Sequence, residues 1–267
     1  MYSENPFIAD EVRKAMAQNG QYDELLLSYD GRLNDLPDIS TAKLWDFKAK
    51  VMLKTFKEKR DRFAHVLSLL DPQGLILDWG IGSGEIYEAL DSGRRKNYVG
   101  IDVSGDLVKN MIALHPEGVF RQQTLGEVET GGFAQLCALE VLEHIQARQL
   151  PKVLLEINRI LSEGGSLICS VPLYEELRFM TISCPCCGSL ANKEGHCRSY
   201  TPELIAAELM LAGFQVTEKR YVWTSYEHPV LKVRERFKRL VGFAKPANIV
   251  IKARKISSRP KFSIYQG

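Results

Sequence analysis

The sequence predicts a doubly wound α/β fold: a sheet of about seven mostly parallel strands, covered on both faces, behind an N-terminal helical extension. Three observations predict it. From residue 75 onward, short apolar runs alternate with helical stretches, the order that builds a parallel sheet. The first run, LILDW, empties into a glycine-rich turn that opens a helix. The second, NYVGID, ends on an acid.

Each element has its own local reason. Residues 41–70 contain no Gly or Pro, and Trp45, Met52, Phe56, Phe63, Val66 and Leu67 recur at roughly helical spacing, so they predict helix. Pro72 and Gly74 then punctuate the chain. Strand one is 75–79, and a helix starts near Ile86. Strand two is 97–102, followed by a helix with Ser104 as its N-cap. VFRQQ is a weak third strand and FAQLCAL the fourth. LPKVLLEINRILSEGG predicts a strong helix, with Pro151 in its first turn and Gly164 as its stop. SLICSV is the fifth strand, closed by Pro172. The next helix has Thr201 as cap, Pro202 at its first position and Gly213 at its end. FQVTEKRYV and ANIVIKARK are strands six and seven. The expected organisation is a helical cap or lid over 1–73, a core domain over 74–257 with a Cys-rich insertion at 184–200, and a tail over 258–267.

A chain of 267 residues, 45% hydrophobic and 25% charged, excludes disordered and fibrous classes and is long enough for a real core. No apolar run reaches bilayer length, and the N-terminus lacks a basic-then-apolar signal layout, so the expectation is a cytoplasmic protein. Net charge is only +2, but residues 232–261 hold eleven Lys or Arg against one acid, Glu235. Such a block is either a solvated face or a contact for an anionic partner such as nucleic acid.

The glycine turn carries chemistry. Gly80, Gly82 and Gly84 form G-x-G-x-G, whereas dinucleotide sites use G-x-G-x-x-G, whose third glycine is replaced here by Glu85. An acid there suits a pyrophosphate badly. Asp78, two residues before Gly80, is placed to serve a cationic amine, directly or through water. Asp102 can accept from both hydroxyls of a ribose. Together these residues describe a pocket for an adenosine carrying a charged amino-acid tail, namely S-adenosylmethionine.

LDWGIGSGE, VGIDVS, LEVLEHI and ILSEGGSLICSVPLY, in this order, resemble four motifs of the Rossmann-like class I S-adenosylmethionine-dependent methyltransferases. The resemblance implies that Asp78, Gly80, Ile81, Gly82, Gly84, Asp102 and Val103 line the cofactor site, with Glu140 beside them. Many relatives place an Asp after strand three to read adenine. The matching region here offers Thr124, Leu125 or Gly126, and Leu125 is the expected contact.

Catalytic candidates belong at the ends of strands four and five. Glu140, Glu143 and His144 share one face if their segment turns helically. His144 is then a general base, or the E-x-x-E-H pattern holds a divalent metal, as it resembles the ligands of small-RNA 2′-O-methyltransferases and ubiquinone-pathway O-methyltransferases, or the segment merely caps a turn. Tyr174, just past Pro172, is a further pocket candidate.

The stretch CPCCGSLANKEGHC holds four of the six cysteines. Cys184 and Cys187 form a C-x-x-C pair followed by glycine, a knuckle suited to zinc. Cys197, with His196 or Cys186, completes four ligands. Unliganded thiols and a redox pair are the rival readings. The stretch also resembles an insertion of bacterial relatives, where CPxCG precedes G-H-x-R-S; that frame favours His196 over Cys197. Cys137 and Cys169 read as core residues, and Arg198 as a surface residue or an anion contact.

The expectation is therefore a methyltransferase acting on an O or N acceptor of a small or medium biosynthetic substrate, free or glycan- or lipid-linked, with structural zinc on the insertion. RNA methylation and a binding protein without catalysis are the alternatives.

Overall fold

The computed structural model describes residues 45–46, 60–183, 190–223 and 244–256. Helix α1 is Arg60–Leu69, and Trp45 and Asp46 are helical too; the rest of the expected 41–70 helix lies outside the described residues. Then follow β1 (Ile76–Trp79), α2 (Glu85–Ala89), α3 (Ser92–Arg95), β2 (Tyr98–Asp102), α4 (Gly105–Leu114), β3 (Val119–Gln122) and β4 (Phe133–Leu139). The chain continues through α5 (Leu150–Ile160), β5 (Leu161–Pro172), β6 (Thr181–Ser183), β7 (Leu190–Asn192), α6 (Pro202–Leu211), β8 (Phe214–Val222) and β9 (Asn248–Lys255).

Seven strands form one sheet in the order β3-β2-β1-β4-β5-β9-β8. β1 pairs in parallel with both β2 and β4, so the strand order reverses at β1, and a crevice opens past the carboxyl ends of β1 and β4. β9 runs antiparallel between β5 and β8.

Both faces of the sheet are buried. On one, Leu77, Ile101 and Leu136 pack with Leu154 and Ile157 of α5 and Ile205 and Leu209 of α6. On the other, Ile76, Tyr98 and Cys137 pack with Val66 and Leu69 of α1 and Met111 of α4. Strands buried on both sides read as unbroken apolar runs, which is why LILDW and SLICSV stand out in the sequence. Cys137 and Cys169 are buried, and burial lifts the Cys169 thiol to about 12, consistent with small core residues.

The caps follow the expected chemistry. The Ser104 hydroxyl accepts from Leu107 N–H at 3.2 Å, and that of Thr201 from Leu204 N–H at 3.2 Å.

One boundary differs. α5 ends at Ile160, not at Gly164, and β5 begins at once with Leu161. Leu161 is fully buried and pairs with Phe133 at the start of β4, so tertiary burial draws it into the sheet before any glycine is reached. Gly164, at φ 72°, is a kink inside the strand.

Two three-residue strands, β6 and β7, were not legible in the sequence. They pair with each other as an antiparallel ladder, and residues 184–189 connect them. Cys184, Cys186 and Cys187 fall in that connection and lie outside the described residues. Among the described residues, no helix is long and apolar enough to cross a membrane.

Candidate active site

A cavity of about 740 Å³ opens at the carboxyl ends of β1, β2 and β4. Its floor is the glycine turn. Gly80, Gly82 and Gly84 all have positive φ, and a Cβ on Gly84 would come within 2.2 Å of the Met111 side chain. Glycine here lets the turn lie flat on α4 while α2 starts directly behind it.

Asp78 lines the cavity yet is buried, and its carboxylate accepts from the Tyr98 hydroxyl at 2.6 Å. Burial pushes its carboxyl up to about 7; the Tyr98 bond opposes that, and Glu85 and Asp102 add to it. Asp102 ends β2 at the cavity edge, accepting from Ser104 N–H at 2.8 Å and from the N–H groups of Gly82 and Val103. Burial raises its carboxyl too, against those three donors.

Of the residues expected around the cofactor, Asp78, Gly80, Ile81, Gly82, Asp102, Val103 and Glu140 line the cavity. Gly84 stands behind the turn. Leu125 does not line it: it opens a 3-10 turn and packs into the core, while Thr124 caps that turn with Glu127. Leu107 of α4 faces the cavity instead.

The opposite wall is built by the exit of β4. Glu140 sits at φ 54°, and residues Leu142–His144 form a 3-10 turn. The segment is therefore not one helical face. Glu140 turns to Arg62 at 2.8 Å, Asn248 at 2.8 Å and Ser170 at 2.8 Å. Glu143 is fully buried beneath the wall; burial first, then the charge of Glu140, pushes its carboxyl well above the usual range. His144 lines the cavity, with its Nδ1 at 2.9 Å from the Gly195 carbonyl and Trp45 edge-on to its ring at 4.9 Å.

His196 also reaches this wall. Its ring lies 4.9 Å from that of His144, and its Nδ1 is 2.8 Å from the Glu175 carboxylate. Cys197 N–H donates to the Glu143 carbonyl at 2.7 Å, so the end of the Cys-rich stretch is stitched to the turn after β4. Tyr174 lines the cavity at φ 57°, a strained value for a tyrosine, held by its N–H on the Tyr200 carbonyl at 2.9 Å. Lys245 lies over its ring at 4.7 Å.

Two expectations about charge change. Arg198 is neither a surface residue nor a free anion contact: it is buried, paired with Glu208 of α6, and stacked over Tyr200. In the basic block, Lys252 pairs with Asp71, Lys255 with Glu163, and Arg254 donates to the Gly164 carbonyl, so the described cations of β9 tie the fold together.

Sequence reasoning missed Arg62, Glu175 and Asn248. Arg62 is the only Lys or Arg among the described residues that line the cavity, against Asp78, Glu85, Asp102, Glu140, Glu175 and Glu194. Its signal was present: Arg62 lies one helical turn before Val66, on the buried stripe of α1.

Residues 52–219 match a family model described as a methyltransferase domain (Methyltransf_23). That match starts inside the segment 1–73. No curated protein matches the sequence. Among solved structures, one similar chain is Burkholderia thailandensis 1,6-didemethyltoxoflavin-N1-methyltransferase, with 1,6-didemethyltoxoflavin and S-adenosylhomocysteine bound. It is 17% identical, with TM-score 0.57, covering 81% of this chain and 87% of that one. Another belongs to a Haloferax volcanii complex that pairs the Trm112 methyltransferase activator with a protein assigned as a methyltransferase. It is 17% identical, with TM-score 0.59, covering 80% and 98%. A third is the [4+2]-cyclase SpnF, at 17% identity and TM-score 0.52, covering 73% and 80%. At these identities the likeness is one of fold.

Proposed function

Because the chain belongs to the methyltransferase-domain family, we propose that it binds S-adenosylmethionine and methylates an O or N acceptor on a small or medium biosynthetic substrate, free or glycan- or lipid-linked. The observation that carries this reading is the buried Asp78 beside the glycine turn, with Asp102 a strand away at the same cavity edge. A buried carboxyl near neutrality in a cavity that already holds five other acids fits a ligand bearing a cationic amine. Arg62, held by Glu140 at the cavity wall, is the cation among the described lining residues that fits that ligand's carboxylate. Asp102 fits the ribose.

Bound there, the cofactor supplies a methyl group on a sulfonium; an acceptor lone pair takes the methyl carbon as the carbon–sulfur pair returns to sulfur and the acceptor loses a proton. The chain's part is to hold two ligands in line and keep water out. Leu139, Val141 and Leu173 make that space apolar, and His144 and Tyr174 stand on the acceptor side, with Glu143 buried beneath that wall. Trp45 and α1 form the lid of this reading, and the cavity has room for both ligands.

Asp78 gives the test a sign. Its proton is held more tightly in the folded chain, so the stability it lends without ligand is full below about 4 and lost as pH rises through about 7. An amine requires the carboxylate, so cofactor affinity rises over the same range. Calorimetry with S-adenosylmethionine is expected to give roughly tenfold tighter binding at pH 8 than at pH 6, with Asp78→Asn flattening the difference. Absence of heat at high-micromolar cofactor at both pH values would overturn the reading.

Structural zinc on the Cys-rich stretch is the second part of the proposal. The proposed donors are Cys184, Cys187, Cys197 and His196, whose Nδ1 lies on the Glu175 carboxylate, an orientation in which a histidine ligates through Nε2. The support is the C-x-x-C spacing and the paired strands that bracket residues 184–189. Purified protein is expected to carry one zinc on this stretch, and Cys184→Ser to impair methyl transfer more than cofactor binding. Four freely titrating thiols in metal-free protein would end the claim.

A further inference from the structure

Trp45 and Asp46 are neighbours in the chain, yet their side chains are held on opposite sides of the cavity. The Asp46 carboxylate accepts from the Ser104 hydroxyl at 2.5 Å and from Asp106 N–H at 3.3 Å, at the start of α4. The Trp45 ring lies at 89° to that of His144, with centroids 4.9 Å apart, on the turn after β4. Ser104 lies two residues past the end of β2, and β2 and β4 flank β1 in the sheet. Two adjacent residues therefore reach across the crevice that opens at the end of β1. Gly80 and Gly82 of the glycine turn line the same cavity as Trp45.

The Asp46 end is a fastening and not a passing surface contact. Ser104 is fully buried. Its hydroxyl oxygen accepts from Leu107 N–H, and its one proton goes to Asp46. A hydroxyl on a carboxylate makes a charge-assisted bond, the stronger kind. A carboxylate at the start of the ten-residue α4 also suits the helix dipole. The backbone N–H of Ser104 meanwhile holds Asp102 at 2.8 Å. The carboxylate assigned to the ribose and the fastening of Asp46 thus share one residue.

We propose that Trp45 and Asp46 form a strap across the bound cofactor, fastened at Ser104, and that this fastening sets how fast the cofactor enters and leaves. The inference rests on the proposed function, because it takes the ribose to lie at Asp102. A ligand held there lies under the strap and passes only when Asp46 lets go of Ser104. The fastening joins two protein groups and takes no ligand atom, so it weighs on entry and exit alike. Its removal raises both rates and leaves affinity nearly unchanged. The far end of the strap bears on the acceptor: Trp45, held at His144, borders the space that receives it. Asp46 is thus a positioning residue for both halves of the cavity.

The test is stopped-flow binding and displacement of S-adenosylhomocysteine on the full chain, followed by tryptophan fluorescence, since Trp45 and Trp79 line the cavity. Asp46→Ala is expected to speed association and dissociation about tenfold each, with affinity within about threefold of wild type. Asp46→Asn keeps an oxygen for the Ser104 hydroxyl, so its rates are expected within about threefold of wild type. Ser104→Gly keeps the N–H for Asp102 at little cost to the helix start, and is expected to match Asp46→Ala. The double variant Asp46→Ala, Ser104→Gly is expected to add nothing further, since the two changes remove one bond. Circular dichroism reports folding of each variant separately. Wild-type rates in Asp46→Ala, or effects that multiply in the double variant, overturn the inference. Affinity lost without faster association would make Asp46 part of the binding surface and overturn it too. A wild-type chain that binds no S-adenosylhomocysteine counts against the proposed function and removes the strap with it.

Discussion

Asp102→Asn is expected to weaken S-adenosylmethionine binding about thirtyfold, a loss of about 2 kcal/mol, while the thermal unfolding midpoint stays close to wild type. Asparagine keeps one carbonyl oxygen for Ser104 N–H, so the start of α4 retains its anchor. The other oxygen becomes an NH₂ group, which cannot accept from a ribose hydroxyl. Because the carboxylate is held by three backbone N–H groups, it cannot swing to compensate. Calorimetry measures the loss; affinity within threefold of wild type would remove Asp102 from the cofactor site.

The larger effect on stability belongs to Arg198. Arg198→Ala leaves Glu208 buried without its cation, for a cost of about 3–5 kcal/mol. That corresponds to a fall in melting temperature on the order of 10 °C. Burial raises the Glu208 carboxyl and Arg198 opposes the rise, so the orphaned acid takes up a proton in part and the loss eases at low pH. The double variant Arg198→Met, Glu208→Leu replaces the pair by apolar groups and is expected to unfold well above the single variant. Equal melting of the two would show that the pair does not act as a unit.

The elements that were legible in the sequence are those whose signals are local. The glycine turn, the acid ending β2, and the Ser104 and Thr201 caps each depend on a few adjacent residues. What was not legible depends on distance. Arg62 reads as one of many cations on a helix until α1 is laid against the sheet. His196 reads in sequence as a candidate ligand of the Cys-rich stretch, and nothing local says that its ring also lies beside that of a histidine fifty-two residues earlier. Glu140, Glu143 and His144 share one face only in a regular helix, and the left-handed Glu140 breaks that periodicity. β9 reads as a further strand in sequence, but nothing local says that it enters between β5 and β8.

That placement of β9 sets an order of assembly during synthesis. β8 leaves the ribosome before β9, yet among the described residues it pairs only with β9 in the main sheet. It must therefore wait as an unpaired edge until β9 arrives and zips against β5. The wall of the cavity waits as well, because Asn248, the first residue of β9, donates to Glu140, made 108 residues earlier. A nascent chain halted before Asn248 already holds the glycine turn and the acid that ends β2, but not the strand that braces Glu140. Ligand-binding surface would thus form early, and competence for transfer only when β9 closes the sheet, with closure over so long a loop as the slow step.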